Sequence, residues 1–539
     1  MSAVSVRARR LTTAATARAR ADRNQTLSIV AGVIILLVAW ELAARALTDA
    51  FVLAGPIDIA VYIAQNASLI GRALAVTLGN AAAGFLLGNV AAMLLAGVAV
   101  LWPRSRTIVT GAGLLVFCLP LVATGPILRV VLGPGPGPQI ALAALAVYYT
   151  TLIPLLVGLK AAPSTWFDLV RSYGRGRYAA LVHVRARASL PYLFAGLQIA
   201  APAAFLGAMV GEFTGAESGL GVLTIRASRA LDVELTWAVA TVATLVSLLA
   251  YVAIGAIAKA LLRDRPPVIL ATAPEPLGRG RRALRVGIDL AIVTGLVLLA
   301  WWAALEALGL NAFFAKRPGD VLDALLLAPD AEQTRATLFT ALSETAVFVL
   351  PGYLAGLLLG AGLAVVFILV PAIAGTAMAF ALALRSIPIV TTAPLVTLLL
   401  GREALGTIVL VAVMVFFPTL IACLHGLRQA PGQVMDVLDS YAAGPVQRLV
   451  RVRIPAMLPA FFAAARMSVP AAILAVTVVE WLATGNGIGS LMALSASLSD
   501  YDMLWSSVVI VSVLAVAGYA LVGAIEARVL RTYAPEQGT

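Results

Sequence analysis

Apolar stretches close to the ~20 residues needed to cross a bilayer recur along this chain, separated by short polar segments. They run at 27–47, 75–100, 108–131, 138–160, 192–213 and 237–262, then at 287–308, 341–370, 373–400, 404–427, 458–481 and 503–527. The pattern predicts an all-α polytopic membrane protein of about twelve transmembrane helices. Strand-period alternation plays no part in it.

Sliding the chain against itself gives a match at an offset of 268 residues, without a gap from about 120 to 237. Pro120, Pro126, Gly133, Gly158 and Pro163 fall on Pro388, Pro394, Gly401, Gly426 and Pro431. Asp168, Tyr173, Gly176, Pro191, Pro202, Glu212, Gly219 and Gly221 fall on Asp436, Tyr441, Gly444, Pro459, Pro470, Glu480, Gly487 and Gly489, and Asp232 and Trp237 on Asp500 and Trp505. Nearer the N-terminus the offset drifts to 261–264, pairing Trp40 with Trp301 and Pro56-Ile57-Asp58 with Pro318-Gly319-Asp320. A repeat of this length predicts two homologous six-helix units. An even number of spans makes them parallel, related by an axis along the membrane normal. The expected organisation is a basic arm at 1–26, a first repeat at 27–262, an extended Pro/Arg-rich linker at 263–285, a second repeat at 286–529 and a tail at 530–539.

Charge orients this picture. Of 38 Lys and Arg, 27 fall on the side of the N-terminal arm if the spans alternate, 9 on the other, and Arg385 and Arg466 within spans. Seventeen of the 26 acids lie opposite the arm. By the positive-inside rule both termini are expected in the cytoplasm of a cell (plasma or inner) membrane, and the net charge of +12 reflects orientation in a lipid bilayer, not nucleic-acid binding. The Arg-rich arm precedes a full-length span with no small-residue cleavage site, so the first helix is expected to remain as an anchor. Cys118, Cys423, His183 and His425 show no ligand spacing, and no metal site is implied.

Between the fourth and fifth spans of each half lies a loop of about 30 residues with ordered chemistry. The first reads Trp166-Phe167-Asp168-Leu169 through Tyr173-Gly174-Arg175-Gly176 to Leu190-Pro191; the second reads Met435-Asp436-Val437-Leu438 through Tyr441-Ala442-Ala443-Gly444 to Pro455, Leu458 and Pro459. A short helix, a glycine turn, a second amphipathic stretch and a proline at the membrane boundary are predicted. This pattern resembles the EAA loop of permease subunits in binding-protein-dependent ABC importers, and both halves are similar to the nitrate, sulfonate and taurine branch of that family. The resemblance implies type I importer-like transmembrane domains, with Asp168, Tyr173, Gly174, Gly176, Leu190, Pro191, Asp436, Tyr441, Gly444, Pro455, Leu458 and Pro459 in the two ATPase-coupling loops. It also implies two ATP-binding cassette subunits and an extracytoplasmic substrate-binding protein as partners. Ala442 stands where the first half has Gly174, and Arg187 where the second has Pro455, so the loops are expected to differ.

A phosphate-cradling Gly-x4-Gly-Lys-Ser/Thr loop is not in the sequence, whose three lysines follow Leu, Ala and Ala. The expectation is a transport subunit that is not itself an enzyme and binds no cofactor, with ATP used by partner subunits. Pro191 to Glu212, like Pro459 to Glu480, is 21 residues, about 31 Å of helix. Both glutamates are thus expected near the outer surface, either in a gate, as the resemblance implies, or capping a loop at the water boundary. Pro202 and Pro470 lie midway, where a kink is possible in principle. Arg385 and Arg466, with Phe117 and Gln198 at the matching places, are the intramembrane cations expected to line a path or to pair. Two buried arginines would suit a small anion such as nitrate, a sulfonate or taurine. The competing plan is an ion-coupled secondary carrier of major-facilitator type, also two parallel six-helix repeats. Its long loop would be central, whereas the ordered loops here lie between spans four and five.

Overall fold

The computed structural model describes residues 32–35, 37–47, 53–262, 279–370, 391, 393, 396 and 404–533. Among these, eight helices are long and apolar enough to cross a membrane, nine if one sharply bent pair counts as a single span. They fall into four matched pairs in the same order: Ala67–Leu101 with Ala331–Leu369, Gly137–Gly158 with Ala404–Arg428, Arg177–Glu212 with Pro445–Leu482, and Val233–Leu261 with Tyr501–Tyr533. The predicted span at 287–308 lies in the helix Arg279–Ala307, which already begins inside the stretch expected to be extended linker. The span predicted at 373–400, with Arg385, falls outside the described residues, apart from 391, 393 and 396.

Local chemistry explains how these helices meet. In lipid, large apolar side chains gain nothing by turning inward, and helices associate through small residues that let backbones approach. Leu86, Leu94 and Leu358 accordingly face outward, while Gly84 and Gly88 lie against Ala143 and the carbonyl of Ala144. The second half repeats the contact with Gly352 and Gly356 against Val411 and the carbonyl of Ala412. Gly158 and Gly426, matched in sequence, receive Tyr192 and Met457 in the same way. The drifted N-terminal pairing also appears in space: Trp40 packs on Trp237 with ring centroids 5.3 Å apart, and Trp301 on Trp505 at 5.1 Å.

The third span departs from expectation. In place of one helix over 108–131, Arg106–Phe117 and Leu121–Leu132 meet at a bend of 100°. Pro120 lacks an N–H and restricts Leu119 before it, so the helix cannot run on. The arm beyond the break reaches across the repeat boundary, where Ala123 and Ile127 share a core with Ile488, Met492 and Leu504. Gly111 on the near arm packs against Val293 of the second half's first helix. The halves therefore interlock through the broken span.

Candidate functional site

The two long loops fold alike, from the sequence upward. Pro163 and Pro431 precede helices Ser164–Ser172 and Gly432–Ser440. Positions three and four apart share one helix face, and here that face is apolar and open to solvent. Trp166, Leu169 and Tyr173 are 50%, 58% and 75% exposed, and their matches Val434, Val437 and Tyr441 are 45%, 55% and 81% exposed. An apolar patch of this kind on a polar loop marks a contact surface.

Each helix ends in a left-handed residue. Gly174 has φ +66° and Ala442 φ +51°. Gly174 N–H donates to Arg171 O at 2.8 Å and Arg175 N–H to Val170 O at 3.2 Å; Ala442 N–H donates to Asp439 O at 3.0 Å and Ala443 N–H to Leu438 O at 2.9 Å. This paired closure of the last carbonyls is the usual glycine stop. The expected difference at Ala442 is therefore one of strain at an unchanged turn, since an L residue in this region costs about 1 kcal/mol or more. Ala442→Gly should slow amide exchange at Ala442 and Ala443 by roughly fivefold, and Gly174→Ala should speed it at Gly174 and Arg175 by a similar factor, for about 1 kcal/mol each way; hydrogen exchange on the whole protein reads both.

Gly176 and Gly444 then stand as N-caps of the short helices Arg177–Ala180 and Pro445–Arg448, and matching π-helical turns follow at Leu181–Arg185 and Leu449–Arg453. Pro191 and Pro459, expected at the membrane boundary, are each the sixth residue of helices that run on through them, Ala186–Glu212 and Ile454–Val479, with Leu190 and Leu458 just before them and Pro455 in the first turn of its helix. Arg177 ties the first loop to its half by donating to Leu101 O at 3.2 Å and covering Trp102, and Arg185 donates to Leu159 O at 3.0 Å. Asp168 lies 3.7 Å from Arg171, with both side chains largely in water, whereas in the second loop Arg448 pairs with Asp439 at 2.8 Å and Asp436 is exposed.

At the far ends of these helices, Glu212 and Glu480 were expected near the outer surface. Both are buried, 1% and 0% exposed. The chain after each reverses through Gly219-Leu220-Gly221 or Gly487-Ile488-Gly489, and the carboxylate clasps that turn. Gly221 N–H donates to Glu212 Oε2 at 2.7 Å, and Gly489 N–H to Glu480 Oε2 at 2.8 Å. A threonine from the neighbouring span completes each clasp: Thr77 Oγ1 accepts from Leu220 N–H at 2.9 Å, and Thr345 Oγ1 accepts from Ile488 N–H at 2.9 Å and donates to Glu480 Oε1 at 2.8 Å. Gly219 and Gly487, at φ +139° and +86°, leave no room for a Cβ beside the carboxylates. Thr77 and Thr345 are 268 residues apart, so the offset extends further back than the gapless match; hydroxyls in apolar helices carry no pattern signal, and only their shared register could have found them. Glu344, with Val76 opposite it in the repeat, adds a third acceptor in the second half, at 2.9 Å from Gly487 N.

Arg466 does not stand free. Its guanidinium lies 3.1 Å from Glu526 of the last helix, the two side chains being 11% and 9% exposed, and over the ring of Tyr519. Glu526 was missed in the sequence because its repeat position is Ala258; it could have been found as the lone acid of its span. Gln198, matching Arg466, lies against Gly255. Pro202 and Pro470 sit inside continuous helices.

Comparison with known proteins follows the same division into halves. A family model described as "Binding-protein-dependent transport system inner membrane component" matches residues 69–265 and 352–531. The chain is similar to a protein named "Probable ABC transporter permease protein" of Haemophilus influenzae, 32% identical over 126 residues covering 23% of this chain and 51% of the relative. It is also similar to the formylaminopyrimidine transport permease protein ThiX of Halalkalibacterium halodurans, 27% identical over 26% of this chain and 57% of that one. The riboflavin transport system permease protein RibX of Chloroflexus aurantiacus is 30% identical over 27% of this chain and 54% of its own length. The chain thus spans about half the length of the curated relatives it matches. No solved structure matches it. With one model matched in each half, the chain belongs to the family of inner membrane components of binding-protein-dependent transport systems.

Proposed function

We propose that this chain is the transmembrane permease component of an ABC importer, with two permease halves in one polypeptide. A solute delivered by an extracytoplasmic binding protein passes between the halves, driven by two ATP-binding cassette subunits seated on the two loops. The observation that carries this reading is the pair of matched, exposed apolar faces, Trp166/Leu169/Tyr173 and Val434/Val437/Tyr441, on helices with the same glycine-type stop. A face of about two helical turns with three large anchors has the form of a helix-in-groove contact. The loops face the cytoplasm, as do the termini, and the Glu–Thr clasps hold the opposite mouth. The chain is no enzyme: ATP is bound and hydrolysed by the partner subunits.

The cargo reading widens. Arg466, one of two arginines that favoured an anion such as nitrate or a sulfonate, is neutralised by Glu526, while the relatives named for a cargo are transport permeases for a formylaminopyrimidine, for riboflavin and for aliphatic sulfonates. A small polar solute is proposed, a sulfonate among the candidates, without requiring negative charge. Co-purification of the chain from native membranes, with mass spectrometry of its companions, tests the partner assignment: a P-loop ATPase at two subunits per chain is expected. Recovery of the chain alone with transport intact would favour the ion-coupled carrier.

A further inference from the structure

The mouth opposite the docking loops is built from matched elements with unmatched charges. Asp232 and Asp500 are common to both halves and do the same structural work, accepting from Leu235 N–H at 2.9 Å and Met503 N–H at 3.0 Å. Around them the halves diverge. The first half places exposed Arg72, Arg226 and Arg229 where the second has Thr340, Leu494 and Ser497. The second half places exposed Glu344 and Asp323 where the first has Val76 and Val61, and adds Asp330 and Glu332.

The second half's own cations do not offset this. Lys316 is held by Asp502 at 2.8 Å, Arg317 by Glu306 at 2.9 Å, and Arg335 donates to Leu325 O at 3.0 Å. Asp323, Asp330 and Glu332 form no ion pair among the described residues. Asp323 and Asp330 line a cleft of about 680 Å³ with Asp320, Asp500 and Asp502, and a second groove of about 770 Å³ beside it is lined by Thr340, Glu344 and Ser497. Acids are not confined to the second half: Asp58, Asp232 and Glu234 match Asp320, Asp500 and Asp502, and Glu217 is exposed as well. A half-turn about the axis relating the repeats thus carries a surface of mixed charge, with Arg72, Arg226 and Arg229 unmatched, onto a predominantly acidic one. Backbone symmetry is kept while electrical symmetry is broken.

We infer that this mouth seats its extracytoplasmic partner in one orientation only, an acidic surface of that protein over Arg72, Arg226 and Arg229 and a basic surface over Asp323, Asp330 and Glu332. The inference rests on the permease reading, which supplies the partner. Opposed patches select the register of a complex more than its affinity, because the reversed pose sets like charges together. They also steer the encounter, with a salt-sensitive effect of tenfold or more on the association rate. Two separate but identical permease chains could not do this, since their mouths would be equivalent. The fused chain can.

The test uses a photo-cross-linking residue in place of Ala230 or Leu498, which are exposed, occupy matching positions and touch neither clasp. The full chain is irradiated in intact cells of its host and the cross-linked peptides are mapped. The expected result is one soluble protein captured at both positions through two non-overlapping sets of peptides, acidic from Ala230 and basic from Leu498. Reversing both patches together (Arg72→Glu, Arg226→Glu, Arg229→Glu with Asp323→Lys, Asp330→Lys, Glu332→Lys) should exchange the two sets. One shared set captured in comparable yield from both positions, or a map unchanged by the reversal, would overturn the inference and leave the permease reading intact. Capture of no soluble protein at either position would overturn both.

Discussion

Leu169→Asp together with Val437→Asp should abolish ATP-driven transport while leaving the chain folded and inserted. Both side chains are more than half exposed at the centre of their apolar faces, so the substitutions remove nothing from the core. A central anchor in a helix-in-groove contact is worth about 2–4 kcal/mol, and a carboxylate pressed into the groove adds a desolvation cost. Each site alone should lose roughly 30- to 1000-fold in ATPase affinity. The check is co-purified ATPase per permease, with thermal stability of the permease itself as control. Single substitutions also rank the two loops. An equal loss at both would mean that the Arg171/Asp439 and Gly174/Ala442 differences are tolerated by the partner.

Thr345→Val and Glu480→Ala are the second pair of large effects, this time on the fold at the opposite mouth. Removing the Thr345 hydroxyl strands the N–H of Ile488 and one oxygen of Glu480; removing the Glu480 carboxylate strands the N–H of Gly489 and leaves a cavity, while the Thr345 hydroxyl keeps Ala341 O and Ile488 N–H. Each buried group left without a partner costs about 1–3 kcal/mol, and emptying the carboxylate's place adds a cavity cost, so either change should cost about 2–5 kcal/mol. The double variant should cost less than the sum, because the same bonds are lost in both. Thermal melts of the four proteins of this cycle measure the coupling, and strict additivity would show that threonine and glutamate do not act as one clasp.

These clasps show where sequence reasoning reached and where it stopped. Glu212, Glu480 and the glycine turns were visible because the offset of 268 aligns them, and Gly174, Gly176 and Gly444 were read as belonging to the glycine turn of each loop; the capping role of Gly176 and Gly444 comes from the structure. Burial was not visible: a glutamate 21 residues past a proline reads as a water-boundary marker, and only the fold shows each carboxylate turned inward onto its glycine turn, with Thr345 from another helix holding the second oxygen of Glu480. Likewise Arg466 could be read as lining a path or as paired, and its partner was not visible because Glu526 lies 60 residues away with alanine at its repeat position. The bend at Pro120 was legible in principle, since proline cannot continue a hydrogen-bonded helix, yet hydropathy alone ran the span straight through it. Pattern located the elements; pairing across helices needed the fold.

The most direct test of the permease account is uptake by right-side-out vesicles carrying the chain with its native partners, with the binding protein outside, energised in turn by ATP trapped inside and by an imposed ion gradient. The account predicts uptake that requires ATP hydrolysis and the binding protein, persists when ion gradients are collapsed, and disappears in the Leu169→Asp, Val437→Asp variant. Uptake that follows the gradient, ignores ATP and survives that substitution would contradict it.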